Sequence, residues 1–399
     1  MSERLSVDAA LAMIAREVEA LPPESHALNA DMLGHVTAAP VKAVADAPRF
    51  DCSAMDGYAV RAAETEAAGR PATFSLAADI PAHAKADDLE PGQAAPIHTG
   101  SPIPRGADAV IARERCKSDG TTVELSGPVD AGLNIRRRGE DMRAGSTIFA
   151  AGRRLSPEAI GALLAAGVTT ISCRRQPRAI LIPTGSELES AVRQPSSKLD
   201  SNGPMIKAAC QSLGMDCTLY APVVDDRQVV RQTLDKAIAS PGADMLLTIG
   251  GISGGRHDLV REALEELGGV VLFHGLAMRP GKPILFARLP DGRPLFGLPG
   301  NPVAALVGFR FFVLAAIRRQ MGLPAEEGFE IAPPEDGRDG MTLFLRGLRA
   351  ARGANDAVPL ANQRSHVMSS VLDADCWIRL DRQGDKTRAM IYELAAHLA

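Results

Sequence analysis

One stretch restricts the fold more than any other: residues 244–258, DMLLTIGGISGGRHD. A short apolar run, 245–249, empties into Gly250, Gly251, Gly254 and Gly255, and the polar Arg256, His257 and Asp258 open an amphipathic run over 259–267. That order reads as strand, glycine loop, helix. Glycines there let bare backbone N–H groups approach a ligand, and the helix start behind them carries partial positive charge, so the place suits phosphate or another oxyanion. Asp258 repels such an anion unless a divalent cation lies between them, so the stretch points to phosphate with a metal. The plainer reading is a structural glycine loop of the kind common in α/β proteins. Neither GxGxxG nor GxxxxGK[ST] can be read through it, which argues against a dinucleotide fold and a P-loop. Residues 251–255 match GxSxG by letters, but Ser253 lies several residues past the apolar run, whereas the nucleophile of a serine hydrolase sits on the turn that ends its strand.

The same alternation extends along the chain from Arg178. A strand over 178–183 runs into Thr184-Gly185-Ser186-Glu187; a helix is expected over 204–213, a strand over 216–222 and a helix over 226–239. After the glycine stretch come apolar runs at 270–273 and 283–287, and the segment from Leu295 enters LPGNP before an apolar helix from Val303. Strand and helix in turn predict a parallel, helix-covered sheet with ligands at the carboxyl ends of its strands. Three loops should therefore open on one rim: Thr184 to Glu187, the Gly250 loop, and Leu298-Pro299-Gly300-Asn301-Pro302. Arg279 and Lys282, in MRPGK, precede a strand and reach that rim if their loop folds over it.

The flanks read differently. Residues 6–20 carry a helical apolar stripe with Ser6 as N-cap, and 155–166 form a helix capped by Ser156 with Pro157 at its first position. FDCSAMDGYAV, residues 50–60, is either a surface turn at Asp56-Gly57 or a place where small residues let another segment or a ligand come close. Residues 73–134 are short segments broken by Pro and Gly, a β-rich module. NIRRRGED, residues 134–141, is a solvated charged face or, against a cleft, a set of arginines for phosphate with Asp141 for metal. Beyond 328, MTLFLRGLRA, QRSHVMSS and CWIRLDRQ read as short strands of a closing all-β domain, in which Arg346 and Ser365 have the default reading of surface residues.

With 399 residues the chain holds about two to four domains. A net charge of −4 with 46% hydrophobic and 23% charged residues argues against disorder and against general attraction to nucleic acid, so local groups must hold any anion. Six cysteines without a CxxC pair or a close histidine fit a reduced, cytoplasmic setting. The N-terminus lacks an apolar signal core, and the longest apolar run, 303–317, is too short for a bilayer and is interrupted by Arg310, so no membrane partner is expected.

Taken in order, FDCSAMDGYAV, IHTGSPIPRGAD, NIRRRGED, PTGSEL, GGISGGRHD, MRPGKP, LPGNPV, and FLRG with QRSH span most of the chain and closely resemble the molybdopterin molybdenumtransferase family, MoeA in bacteria and the gephyrin E-domain in animals. The resemblance implies four domains: a segmented helical one over 1–50 and 140–177, an inserted β module over 51–139, an α/β molybdopterin-binding domain over 178–327, and a β-barrel over 328–399. It also implies a homodimer whose cleft is built from both chains, with a molybdopterin adenylyltransferase as a candidate partner. The implied reaction inserts molybdenum from molybdate into adenylylated molybdopterin and releases AMP with Mg²⁺. By resemblance Arg279, Lys282, Arg346 and Ser365 hold molybdate, Pro299 shapes the pocket, and Thr184, Gly250, Gly251, Ser253 and Pro302 lie along the pterin and its phosphates. Asp56, Asp141, Glu187, Asp225 and Asp258 serve pyrophosphate cleavage, with Asp56, Glu187 and Asp258 as metal ligands; Mg²⁺ commonly takes only one or two carboxylates. The chain departs from the family pattern at Ser186, usually Asp, at Arg279, commonly Lys, at Arg364, where the pattern has Gly, and near Gly275, where a Lys is often found. These departures keep open a molybdopterin-binding or scaffolding paralogue without turnover.

Overall fold

The structure is a computed structural model that describes residues 4–66, 72–81, 87–188, 198–252, 258–350 and 356–394. Its centre is a six-stranded sheet in the order Asp216–Leu219, Arg178–Pro183, Met245–Ile249, Pro294–Leu298, Leu285–Arg288, Val270–His274. The first four pair in parallel, as expected. Leu285–Arg288 runs antiparallel to both of its neighbours, so the sheet is mixed and the all-parallel expectation is corrected at one strand. The cause is local. Only residues 289–293 separate this strand from Pro294–Leu298, and a parallel crossover needs about a dozen.

The reversal determines the rim. Leu285 pairs with Gly297 and with His274, so the start of the reversed strand lies beside the ends of its neighbours. The loop ahead of it, which carries Arg279 and Lys282, is thereby brought to the edge where the other strands end.

Alternate strand residues feed the two faces, as a period of two requires. Leu181 and Leu247 pack with the helix Asn202–Ser212 through Ile206 and Cys210, while Ile180, Ile182 and Leu246 pack with Val230 and Leu234 of Arg227–Ala239 and Val260 of Leu259–Glu266. Asp226 caps its helix by accepting from the Gln228 and Val229 amides. The apolar run from Val303 becomes Pro302–Gly308, a π turn Phe309–Val313 and Leu314–Gln320. Arg310 sits in the π turn, 1% exposed, in a forked pair with Glu326 at 2.6 and 2.7 Å while donating to the Glu393 carbonyl.

Segments 1–50 and 140–177 do meet, though largely through strands. Thr170–Arg174 pairs with Pro23–Ala27 and Val36–Thr37, and Thr147–Phe149 with Val41–Lys42. The helix Pro157–Ala165 belongs there, capped by Ser156. The first helix, Val7–Glu17 capped by Ser6, leaves this unit: Val7, Ala10 and Ile14 join the core with Leu314 and Ile317. Its small apolar stripe finds a matching apolar helix on the α/β side.

The inserted module is a six-stranded sheet. In it Gly57 of Gly57–Val60 lies so close to Ala109–Ala112 that a Cβ would meet the Ile111 carbonyl oxygen at 2.0 Å, which explains the small residue after Asp56. Thr342–Arg349, Cys376–Gln383, Lys386–Glu393 and Phe329–Ile331 follow one another in the C-terminal sheet, and Met278–Arg279 adds in parallel beside Thr342–Arg349. Among the described residues this sheet is open, not the closed barrel the resemblance implied. QRSHVMSS is not a strand but a loop ending in the short helix Ser369–Leu372, because its polar side chains bond neighbouring backbone in place of a ladder. No described helix is long and apolar enough to cross a membrane.

Candidate functional site

Two adjoining cavities open on the rim. The larger, about 520 Å³, is bordered by Thr184, Glu187, Asn202, Pro299, Pro302 and His366. The smaller, about 270 Å³, is bordered by Arg279, Lys282, Pro299, Asn301 and Ser365. Pro283, Pro299 and Asn301 line both, so LPGNP forms the partition.

The loops are held by bonds between strands distant in sequence. The Thr184 amide donates to the Ile249 carbonyl at 2.7 Å, and the Gly250 amide to Leu298 at 2.9 Å. Gly250 has φ +89°, and a Cβ there would meet the Thr184 carbonyl oxygen at 2.5 Å. The loop glycine is thus required for packing the rim as well as for any ligand. Asn202 donates to the Gly300 carbonyl at 2.7 Å, tying a helix start to the partition.

Arg279 and Lys282 have no side-chain partner among the described residues, and Ser365 Oγ accepts from Asn301 Nδ2 at 3.4 Å. Arg346 differs from expectation. It is 1% exposed and lines neither cavity. Its Nε donates to Gln363 Oε1 at 3.2 Å and its Nη1 to the Arg364 and Val367 carbonyls at 3.2 and 3.4 Å. Burial lowers its pKa, yet it holds the loop that carries Ser365 instead of facing the cleft.

The five carboxylates are dispersed. Asp258 is 3% exposed; its Oδ2 accepts from Arg261 Nε at 3.0 Å and lies 3.5 Å from His274 Nδ1. Glu187 folds back over Gly185 at the edge of the larger cavity. Asp225 and Ser186 bond reciprocally: the Ser186 amide donates to Asp225 Oδ2 at 3.0 Å and the Asp225 amide to Ser186 Oγ at 2.8 Å. Asp56 Oδ1 accepts from the Thr99 amide and hydroxyl at 2.8 and 3.0 Å, and the amide above all holds its carboxyl below the usual range. Asp141 is exposed in a turn whose amide donates to Ala47. Neither Asp56 nor Asp141 borders the two cavities within one chain. Asp56, Glu187 and Asp258 therefore do not form a single metal cluster among the described residues.

Residues 5–167 match the MoeA N-terminal region (domain I and II), and residues 180–319 match the probable molybdopterin binding domain. The molybdopterin molybdenumtransferase of Staphylococcus aureus is 31% identical over 396 residues, covering 94% of this chain and 91% of that protein. The chain belongs to the molybdopterin molybdenumtransferase family. Molybdopterin molybdenumtransferase 2 of Mycobacterium tuberculosis is 37% identical over 302 residues, covering 73% of this chain and 74% of its own. Two structures of the MoeA protein of Pyrococcus horikoshii match with TM-scores of 0.78 and 0.77, at 26% and 24% identity, covering 97% and 98% of this chain and 99% and 100% of theirs. Family membership makes the chain an enzyme of molybdenum cofactor biosynthesis.

One observation bears on a metal in this family site. Asp258 Oδ1 is buried with no hydrogen-bond partner among the described residues, and an orphaned carboxylate oxygen is what a cation would satisfy. Ser253 lies outside the described residues. Two residues were missed. His274 ends its strand with Nε2 3.0 Å from the Ile252 carbonyl oxygen, clamping the glycine loop, and Asn202 borders the larger cavity. Asn202 had a signal, since Asp200-Ser201-Asn202 is a helix-start pattern; a lone histidine at the end of an apolar run has none.

Proposed function

We propose that this chain inserts molybdenum from molybdate into adenylylated molybdopterin and releases AMP in a Mg²⁺-dependent reaction. The observation that carries this reading is the pair of adjoining cavities: one edged by Arg279 and Lys282, with no carboxylate among its described lining residues, and by the Ser365 hydroxyl, the other by Thr184, Glu187 and Pro302. A tetrahedral dianion fits the first, because charge-assisted bonds from guanidinium and ammonium groups outweigh those of neutral donors. The pterin and its phosphates fit the second, along Thr184, Asn202 and Pro302, with Gly250 and Gly251 packed behind Thr184, so that the partition at Pro299 sets the two substrates side by side.

Asp258, whose Oδ1 has no partner among the described residues, is the residue that would hold Mg²⁺, which when bound would offset the phosphate charge of the nucleotide tail, while Glu187 borders the larger cavity. Asp225 orders the Thr184 loop through Ser186. Because Ser186 supplies these bonds, its departure from the family pattern gives no separate support to a binding-only paralogue. Asp56 and Asp141 act in this scheme only if a second copy brings its inserted module to the cleft, so the reading requires a homodimer. It also retains the four-domain division, a cytoplasmic setting and a molybdopterin adenylyltransferase as the supplier of substrate.

The test is to incubate the purified chain with adenylylated molybdopterin, molybdate and Mg²⁺. Molybdate-dependent AMP release together with reconstitution of an apo-molybdoenzyme is expected. Tight pterin binding without AMP release would instead establish a binding protein.

A further inference from the structure

Asp258 and His274 meet beside the glycine loop. Asp258 stands at the N-cap position of Leu259–Glu266, yet its side chain makes no capping bond. It is 3% exposed, its Oδ1 has no hydrogen-bond partner among the described residues, and its Oδ2 accepts from Arg261 Nε at 3.0 Å. His274, the last residue of its strand, brings Nδ1 to 3.5 Å from that Oδ2. Its other nitrogen, Nε2, lies 3.0 Å from the Ile252 carbonyl oxygen. A carbonyl only accepts, so Nε2 carries the hydrogen, and Nδ1 of the neutral ring presents a lone pair. Two acceptors then face each other in a buried place, which is unfavourable until a cation joins them.

A ring whose far N–H is held by a backbone carbonyl has the form of a metal-ligating histidine, because that bond fixes both tautomer and direction. Arg261 engages Oδ2 and also pairs with Glu265 at 3.5 Å, which leaves Oδ1 as the open carboxylate oxygen. Among the described residues no group of three or more such side chains gathers, so a cation here takes its remaining ligands from water or phosphate oxygens. We infer that His274 Nδ1 joins Asp258 Oδ1 as a ligand and makes this cation site selective for a first-row transition ion over Mg²⁺. Mg²⁺ demands oxygen donors, whereas imidazole nitrogen suits transition ions. The inference rests on the proposed metal role of Asp258 and names the class of cation that the residue takes.

The test titrates wild type, His274→Gln and Asp258→Asn with Mn²⁺ and with Mg²⁺ by calorimetry, and records pulsed electron paramagnetic resonance of the bound Mn²⁺. Mn²⁺ stands lowest in the affinity order of the divalent transition ions, so it is the strictest probe of the preference. Wild type is expected to bind Mn²⁺ about tenfold or more tightly than Mg²⁺ and to show nitrogen coupling to the bound ion. His274→Gln should lose that coupling and about tenfold in Mn²⁺ affinity while keeping its Mg²⁺ affinity. Its amide still donates to the Ile252 carbonyl, so the melting temperature should stay near wild type. Asp258→Asn should bind neither cation. Mn²⁺ bound by wild type without nitrogen coupling, as an imidazolium paired with Asp258 would give, overturns the inference and leaves the functional reading standing. A nitrogen signal that survives in His274→Gln, or binding that survives in Asp258→Asn, overturns it as well. A wild-type chain that binds neither cation overturns the metal role of Asp258 and the inference together.

Discussion

Two basic stretches of this chain, residues 134–141 and 278–282, look alike in sequence and do opposite work. In the first, Arg137 Nη1 pairs with Asp51 at 2.7 Å and Arg138 Nε with Asp46 at 2.5 Å, while Arg137 and Arg138 amides are taken by Glu140 and Asp51. In the second, Arg279 and Lys282 stand beside a cavity with no partner among the described residues. A satisfied charge holds a fold together; an unsatisfied one at a concavity is available to a ligand. Arginine content alone does not separate the two cases, and partner geometry does.

The sharpest way to break this contrast is to remove both cations of the second stretch. Arg279→Ala with Lys282→Ala should cut AMP release at low molybdate by about a hundredfold or more, through two lost charged contacts, and leave the melting temperature near wild type. An equal loss of activity from Arg137→Ala with Arg138→Ala would end the distinction. Buried charge extends the comparison to stability. Arg310→Ala should cost about 3–5 kcal/mol in denaturant unfolding, because Glu326 is left without its forked partner, whereas a cost near zero would mean that Glu326 escapes to water. Arg346→Ala should cost less, about 1–3 kcal/mol, from Gln363 and two carbonyls losing a donor.

The smallest effect belongs to the exposed pairs. Arg137→Ala should change stability by about 0.2–1 kcal/mol and leave molybdate dependence unaltered. Its signature is in the pH profile. The Arg138 amide first, and then Arg137, hold the Asp51 carboxyl below its usual range. A depressed folded value gives stability that is present above the unfolded value and lost as pH falls through the folded one. Removing Arg137 should therefore move the acid unfolding midpoint to higher pH, and an unmoved midpoint would show that the amide alone sets Asp51.

Local chemistry made much of the fold readable. Ser6 and Ser156 were visible as caps because a cap acts within three residues of itself, and the strand Met245–Ile249 was visible because its apolar run ends in glycine. The reading went wrong where a local cause other than propensity decided, namely side-chain bonds to nearby backbone and the length of one connection. QRSHVMSS looked like a strand until Arg346 and Leu360 were found bonding its first glutamine. The all-parallel sheet looked sound until a short hairpin turned one strand around.

By itself, then, the sequence determined which segments become strands and helices, where the glycine loops fall, and which family the motifs resemble, since propensity, capping and periodicity act over a few neighbouring residues. Only the tertiary structure decided which arginines are neutralised. Asp51 lies 86 residues from Arg137 and Asp46 lies 92 from Arg138, and electrostatic pairing depends on distance through space, over which the order of residues along the chain has no hold.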